Sequence, residues 1–233
     1  MAAVTHLTAS SQTVNAATYS TGVFTPAVSS LLFGFVATSG SVCPASSVVL
    51  EISSEVWRRF TYITSAQWGA GANTLYAFIS NGPSNGQSAI ARFGCPSDAA
   101  TGAVISISQI TGMSRTGLSA IRQFAVSQNN AASTVPLCTW GVSSLTANAV
   151  LAAVGANSSA GVTPMTNWTE RLDVGYTTPL TGLEYFSRDS GNVSTTVSTG
   201  AAVSSLNAMI AIELNTSTID RPMGDNLQCI YIR

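Results

Sequence analysis

The chain has 233 residues, of which 45% are hydrophobic and only 8% are charged, with no lysine and a net charge of −1. This length suits one large β domain, and the apolar content is enough for a sizeable core, which excludes general disorder. No window holds about 18 consecutive apolar residues, so spanning helices are excluded, and no basic arm is present for binding nucleic acid.

Residues 1–12 are interpreted as an N-terminal arm. They include the only histidine, His6, and lack a basic segment followed by an apolar one, so no secretory signal is predicted. His6 is expected to be inert, because a Ser-His-Asp triad would depend on it and no Gly-x-Ser-x-Gly motif is present. The mean hydropathy of +0.31 indicates a weakly polar surface that is buried against other chains.

Strand patterns dominate the chain from residue 31 onward. Residues 31–37 form an apolar run of strand length, and a similar run at 74–80 ends at Asn81-Gly82-Pro83. Residues 103–108 and 182–187 alternate with period two, as half-buried strands do. Further strands are predicted at 48–52, 57–63, 89–93, 149–155, 169–174, 193–198 and 209–214.

Many short strands separated by turns predict an all-β protein, a single jelly-roll-like β-sandwich over residues 13–214. Residues 118–127 are ambiguous between a strand and one helical turn. After Leu214 the composition becomes polar, so residues 215–233 are interpreted as a C-terminal tail. The tail ends in an apolar segment suited to adding a strand to a sheet edge and supporting assembly. That segment contains Cys229, Ile230, Tyr231 and Ile232.

Four widely spaced cysteines, Cys43, Cys95, Cys138 and Cys229, include no C-x-x-C pair. Zinc sites usually draw ligands from close pairs, so no metal is expected there. Assembly in a reducing cytoplasm favours mostly free, buried thiols, although the spacing leaves three disulfide pairings open.

The densest acidic group comprises Glu170, Asp173, Glu184 and Asp189. Alternation along a regular strand would place Glu170 and Asp173 on opposite faces, which weakens the case for a catalytic pair. Ion pairs with Arg171 and Arg188 are the preferred explanation. Residues 189–192 and 220–225 offer oxygen ligands for calcium but lack the dense spacing of a loop site.

Three apolar segments and one Trp-Thr-Glu turn frame residues 20–214. They are FTPAVSSLLFGFV at 24–36, AVLAAVG at 149–155 followed by Thr163-Pro164 and NWTER at 167–171, and MIAIEL at 209–214. Together these segments resemble a β-sandwich module of tailed-bacteriophage structural proteins, whereas residues 40–110 match less well. The resemblance implies a jelly-roll-like domain on a virion, as a capsid decoration, minor capsid or tail component, with no catalytic motif and a trimer as the favoured oligomer.

The sequence therefore predicts a non-enzymatic virion protein without cofactors, assembled in the host cytoplasm and decorating the outside of a capsid through self-association. Its expected partners are copies of itself and a major capsid or tail protein. One alternative is a glycan- or receptor-binding module of a tail fibre, with Trp68, Trp140 and Trp168 as stacking or interface residues. Another is a polysaccharide-degrading enzyme with Glu170 or Glu184 as its acid.

Overall fold

Apart from one short 3₁₀ turn, the regular secondary structure of the described chain consists of β-strands. The structure, a computed structural model, describes residues 2–40, 43–44, 46–53, 58–69, 72–95, 100–129, 135–158, 161–178 and 180–216. Its fifteen strands are β1 (Ala3–Gln12), β2 (Thr18–Ser20), β3 (Leu31–Ser39), β4 (Val49–Ser53), β5 (Arg58–Trp68), β6 (Asn73–Ser80), β7 (Ile90–Gly94), β8 (Gly102–Thr111), β9 (Ile121–Asn129), β10 (Leu137–Thr139), β11 (Ala149–Ala156), β12 (Thr169–Thr177), β13 (Leu180–Arg188), β14 (Thr196–Ser198) and β15 (Asn207–Leu214).

Eight strands form the larger antiparallel sheet, in the order β1-β8-β3-β6-β5-β4-β7-β2. Both faces of its central strands β3, β6 and β8 are buried, so the half-buried strand predicted at 103–108 is corrected: its serines Ser106 and Ser108 are buried as well. On β3, Phe33 and Phe35 point into one core, while Leu32 and Val36 point into another. The sheet therefore separates two hydrophobic cores.

One of these cores forms because the large sheet curls over itself. Strands β4, β7 and β2 lie across the face of β3, β6 and β8, and side chains from both halves share one cluster. The ring of Phe93 on β7 packs edge-on against Phe78 on β6, with centroids 6.3 Å apart. Aromatic residues thus fill the space inside the curl.

The other core lies between the large sheet and a five-stranded antiparallel sheet of order β12-β13-β11-β15-β9. Phe35 of β3 meets Tyr185 of β13 at a centroid distance of 5.2 Å. Trp68, at the end of β5, lies against the backbone of Gly155 on β11. These contacts join the two sheets face to face.

A third, smaller core covers the outer face of the five-stranded sheet. Two segments cover this core, residues 135–148 and 190–199, which include the β10–β14 pair. We call them the outer cover. The two segments are joined by backbone hydrogen bonds such as Trp140 N to Thr195 O, 2.9 Å, and Ser144 N to Ser194 O, 3.1 Å. Phe186 of β13 packs beneath the outer cover.

The all-β prediction is confirmed. The jelly-roll assignment stays a prediction, since jelly rolls distribute eight strands over two sheets and the sheets here have eight and five. The ambiguous stretch is a single 3₁₀ turn at Gly117–Ala120 followed by β9. Within the part of the chain that is described, no helix is long and apolar enough to cross a membrane.

The predicted N-terminal arm needs correction. Residues 3–12 are not a free segment, because β1 pairs with β8 from Ala3↔Thr111 to Gln12↔Ala103. Val4 is buried in the core between the sheets. The Ser- and Thr-rich sequence of β1 carries little apolar periodicity, so the strand is recognisable only by its pairing with β8.

The prediction of mostly free cysteines also needs correction. Cys43 and Cys95 form a disulfide with their Cα atoms 5.8 Å apart, within the range that a bridge requires. The two residues are separated by 52 positions, so only the curl of the large sheet brings them together. Cys138 is free and buried, and burial raises the pKa of its thiol. Cys229 lies outside the described residues.

Candidate functional site

The three tryptophans predicted for glycan stacking or an interface are buried. Trp68 is 0% exposed, Trp140 4% and Trp168 9%. Trp68 packs against Gly155, and Trp168 packs edge-on against Phe186 with ring centroids 5.5 Å apart. Ring faces inside the core cannot stack on a sugar, so the assignment of these three residues to a stacking platform is corrected.

His6 lies between the sheets rather than in a mobile arm. It is half-buried on β1, directly opposite Ser108 of β8. Within the described part of the chain, His6 Nε2 has no hydrogen-bond partner, so His6 does not form a nucleophile–base pair with Ser108. Burial lowers the pKa of His6, against a smaller opposing effect of a hydrogen bond with the backbone of Thr8.

An irregularity in β12 brings three predicted acidic residues together. The pairing of β12 with β13 shifts between Glu170 and Leu172, so Arg171 is an extra residue in the strand, a β-bulge. The bulge cancels the expected alternation and places Glu170 and Asp173 on the same face of β12. Asp173 lies directly opposite Glu184 of β13. We call Glu170, Asp173 and Glu184 the acidic cluster.

The acidic cluster has a buried floor and an open rim. One carboxylate oxygen from each residue lies within 4.8 Å of the others, with Glu184 3% exposed and Glu170 and Asp173 open to solvent. The backbone N–H of Val162 donates a long hydrogen bond, 3.4 Å, to Glu184 Oε2. Glu184 Oε1 has no hydrogen-bond partner among the described residues.

The predicted ion pairs do not involve this cluster. Arg171 donates to Asp189 Oδ1 at 3.1 Å and to Ser187 Oγ at 2.8 Å, on the opposite face of β13 from Glu184. Arg188 donates instead to the carbonyl oxygen of Ser190, 3.0 Å. Over the described ranges, only Asp189 of the four acidic residues has an arginine partner, because the bulge turns Arg171 to the other face.

The surroundings strongly favour the neutral form of Glu184. Burial raises its pKa to about 9, and the neighbouring Glu170 and Asp173 carboxylates add to the shift, while the hydrogen bond from Val162 opposes it. Partial burial also raises the pKa of Asp173. Chemically, such a group of three carboxylates can either share protons or bind a cation.

Catalysis by the acidic cluster is disfavoured by access. The carboxylates are close enough for a glycosidase pair, and a raised pKa is what a general acid requires. However, Glu184 lies beneath the loop that contains Val162 and exposes only 3% of its surface. A sugar ring cannot reach it without displacement of that loop, so the arrangement favours a structural or ion-binding role.

Glu213 is a second buried carboxylate, and no motif in the sequence singles it out. It lies on β15, is 0% exposed, and pairs with Arg122 at 2.6 Å. Its other oxygen accepts hydrogen bonds from Asn148 Nδ2, 2.6 Å, and from the backbone N–H of Leu145, 2.8 Å. These partners tie the loop after β10 to β9 and β15, which is a structural role.

The remaining predicted sites receive little support or lie outside the described residues. In residues 189–192, Asp189 is engaged by Arg171 and the Asn192 side chain donates to Ser144 Oγ, so these ligands are already used. Residues 220–225 and the proposed assembly residues Cys229, Ile230, Tyr231 and Ile232 lie outside the described chain.

Comparison of the chain with protein-family models, with curated proteins and with solved structures gave no match. The fold itself defines the class of this molecule, an all-β protein of packed antiparallel sheets. The features that bear on its function are its surface and the acidic cluster.

Proposed function

We propose that this protein is a non-enzymatic virion structural protein, an outer capsid decoration or accessory protein that stabilises the particle through self-association. The observation that carries this proposal is the chemistry of the outer cover. Neither of its segments, 135–148 and 190–199, contains a charged residue. Such a surface is suited to contact with other protein chains rather than with water alone.

Exposed aliphatic side chains are concentrated on the same surface. Of the ten large hydrophobic residues that are well exposed in the described chain, five belong to the outer cover. They are Val135, Leu137, Val142, Leu145 and Val193. Depletion of charge together with exposed aliphatic groups is typical of the centre of a subunit interface.

The low charge of the whole chain supports the same proposal. A protein surrounded by copies of itself and by a major capsid or tail protein needs few charges for solubility, and 8% charged residues is low. A trimer is favoured by the resemblance to phage β-sandwich modules. The virion and its assembly in the host cytoplasm are part of this proposal.

Size-exclusion chromatography with light scattering tests the self-association. We expect the native chain to form a closed oligomer, and we expect Val142→Ser combined with Leu145→Ser and Val193→Ser to dissociate it. The matched control is Val14→Ser with Val23→Ser and Val28→Ser, which removes the same kind of exposed group outside the outer cover.

A second measurement tests where this protein lies in the particle. Mass spectrometry of purified particles should find the chain at hundreds of copies, and the oligomer should bind to heads that lack it. A stable native monomer that does not bind heads would overturn the proposal.

A further inference from the structure

The acidic cluster contains a buried carboxylate whose environment is incomplete. Glu184 is 3% exposed, yet within the described chain its Oε1 has no partner and its Oε2 accepts a single bond of 3.4 Å. A buried charge of this kind is costly unless it is paired or coordinated to a metal. The cluster therefore needs a positive partner or a proton.

Glu213 shows how this fold stabilises a carboxylate that has only a structural role. Both glutamates are buried, and Glu213 has Arg122, Asn148 and the backbone of Leu145 as partners at 2.6–2.8 Å. Glu184 is flanked instead by two further acids, Glu170 and Asp173. The contrast indicates that Glu184 is not buried for the same purpose.

We propose that Glu170, Asp173 and Glu184 form a calcium-binding site on the outer face of the five-stranded sheet. Calcium takes oxygen ligands at about 2.3–2.6 Å, so two ligands on opposite sides of the ion are up to about 5 Å apart. The three oxygens lie within 4.8 Å of one another, so small side-chain adjustments would place them around one ion while the strands stay in place. Magnesium demands near-ideal octahedral geometry and gives up its waters reluctantly, so a site of clustered carboxylates suits it less well.

The shape of the site agrees with an ion that enters from solvent. Buried Glu184 forms its floor, while the exposed Glu170 and Asp173 form its rim. The loop above has a glycine at the rim: a Cβ on Gly161 would lie 2.3 Å from Asp173 Oδ2. Any larger residue would displace the carboxylate from its position in the site.

The inference is independent of the proposed function, because a calcium site on this face does not require a virion. The competing possibility is that the three carboxylates only share a proton. That alternative predicts no calcium response, and the experiment below distinguishes the two.

Isothermal titration of the full chain with CaCl2, after treatment with EDTA, tests the proposal. We expect one calcium per chain and a rise in Tm of roughly 5–11 °C at calcium a hundredfold above Kd. Glu184→Gln and Asp173→Asn should each lose the response, and magnesium should bind more weakly. If Glu184→Gln fails to fold, Asp173→Asn still tests the proposal, because Asp173 is exposed.

Glu51→Gln is the matched control, because Glu51 is a carboxylate on β4 of the other sheet, paired with Arg59 at 3.0 Å. This variant should bind calcium like the native chain. Absence of binding up to about 10 mM calcium, above the weakest affinities of calcium modules, overturns the proposal. Retention of binding by both cluster variants also overturns it, as does an infrared band of a protonated carboxyl that persists at saturating calcium.

Discussion

At the scale of single residues, burial decides the chemistry of the few ionisable groups. Glu213 is buried with an arginine, an amide and a backbone N–H, whereas Glu184 is buried with two acids nearby. The sequence shows Glu184 as one of a group of acids and Glu213 as an isolated acid in an apolar strand, and it does not show how either carboxylate is partnered. Their partners come from elements far apart in the chain.

His6 gives a pH dependence that can be measured without interference from a second histidine. Its folded pKa lies below its unfolded value because of burial, so unfolding takes up a proton. The contribution of His6 to stability should therefore decrease as pH falls through about 6.5 towards the lower folded pKa, while the raised pKa of Glu184 makes an opposite contribution over the same range. We expect His6→Gln to remove this contribution, so that in urea unfolding the free energy of unfolding at about pH 5, relative to about pH 7, is higher for the variant than for the native chain. An unchanged slope in the variant contradicts the assignment.

At the scale of elements, close contacts between strands depend on particular glycines and irregularities. The bulge at Arg171 moves Glu170 to the face of Asp173 and sends Arg171 to Asp189. A regular β12 would have given the alternation expected from the sequence. One extra residue in the pairing thus creates the acidic cluster.

Gly155 on β11 provides a test of the packing between the sheets. A Cβ there would lie 2.7 Å from Cη2 of Trp68, whose Nε1 is held by Asn157 Oδ1 at 2.7 Å. Since the indole is buried and hydrogen-bonded, we expect Gly155→Ala to lower the free energy of unfolding by about 1–3 kcal/mol. Urea denaturation followed by tryptophan fluorescence measures it. Gly22→Ala is the control, because no atom lies within 4 Å of its Cβ position, and equal losses in both variants contradict the argument.

At the scale of the whole molecule, the curl of the large sheet brings distant segments together. It encloses an aromatic core and aligns Cys43 with Cys95 across 52 positions. The large sheet also separates this aromatic core from the core that lies between the two sheets. The order of the strands, rather than any local pattern, produces this arrangement.

The disulfide should stabilise the curl by restricting the unfolded chain. Closing a loop of 52 residues corresponds to about 4 kcal/mol in the chain-entropy estimate. We expect Cys43→Ser with Cys95→Ser to lower the Tm by roughly 8–16 °C, and a reductant to lower the Tm of the native chain but not of the double variant. Calorimetry with and without reductant measures both, and Cys138→Ser controls for loss of a buried thiol. A native Tm that is insensitive to complete reduction contradicts this role.

Apolar runs and turn residues are local signals, so the all-β class and the approximate position of most strands could be predicted from the sequence. The acidic residues of the candidate site could also be recognised there. The pairing of β1 with the large sheet, the contact of Cys43 with Cys95 and the burial of the three tryptophans became visible only in the folded chain. These three features depend on which distant strands pair and on how a sheet curls. The bulge that changes the face on which one residue lies also leaves no local signature in composition or periodicity.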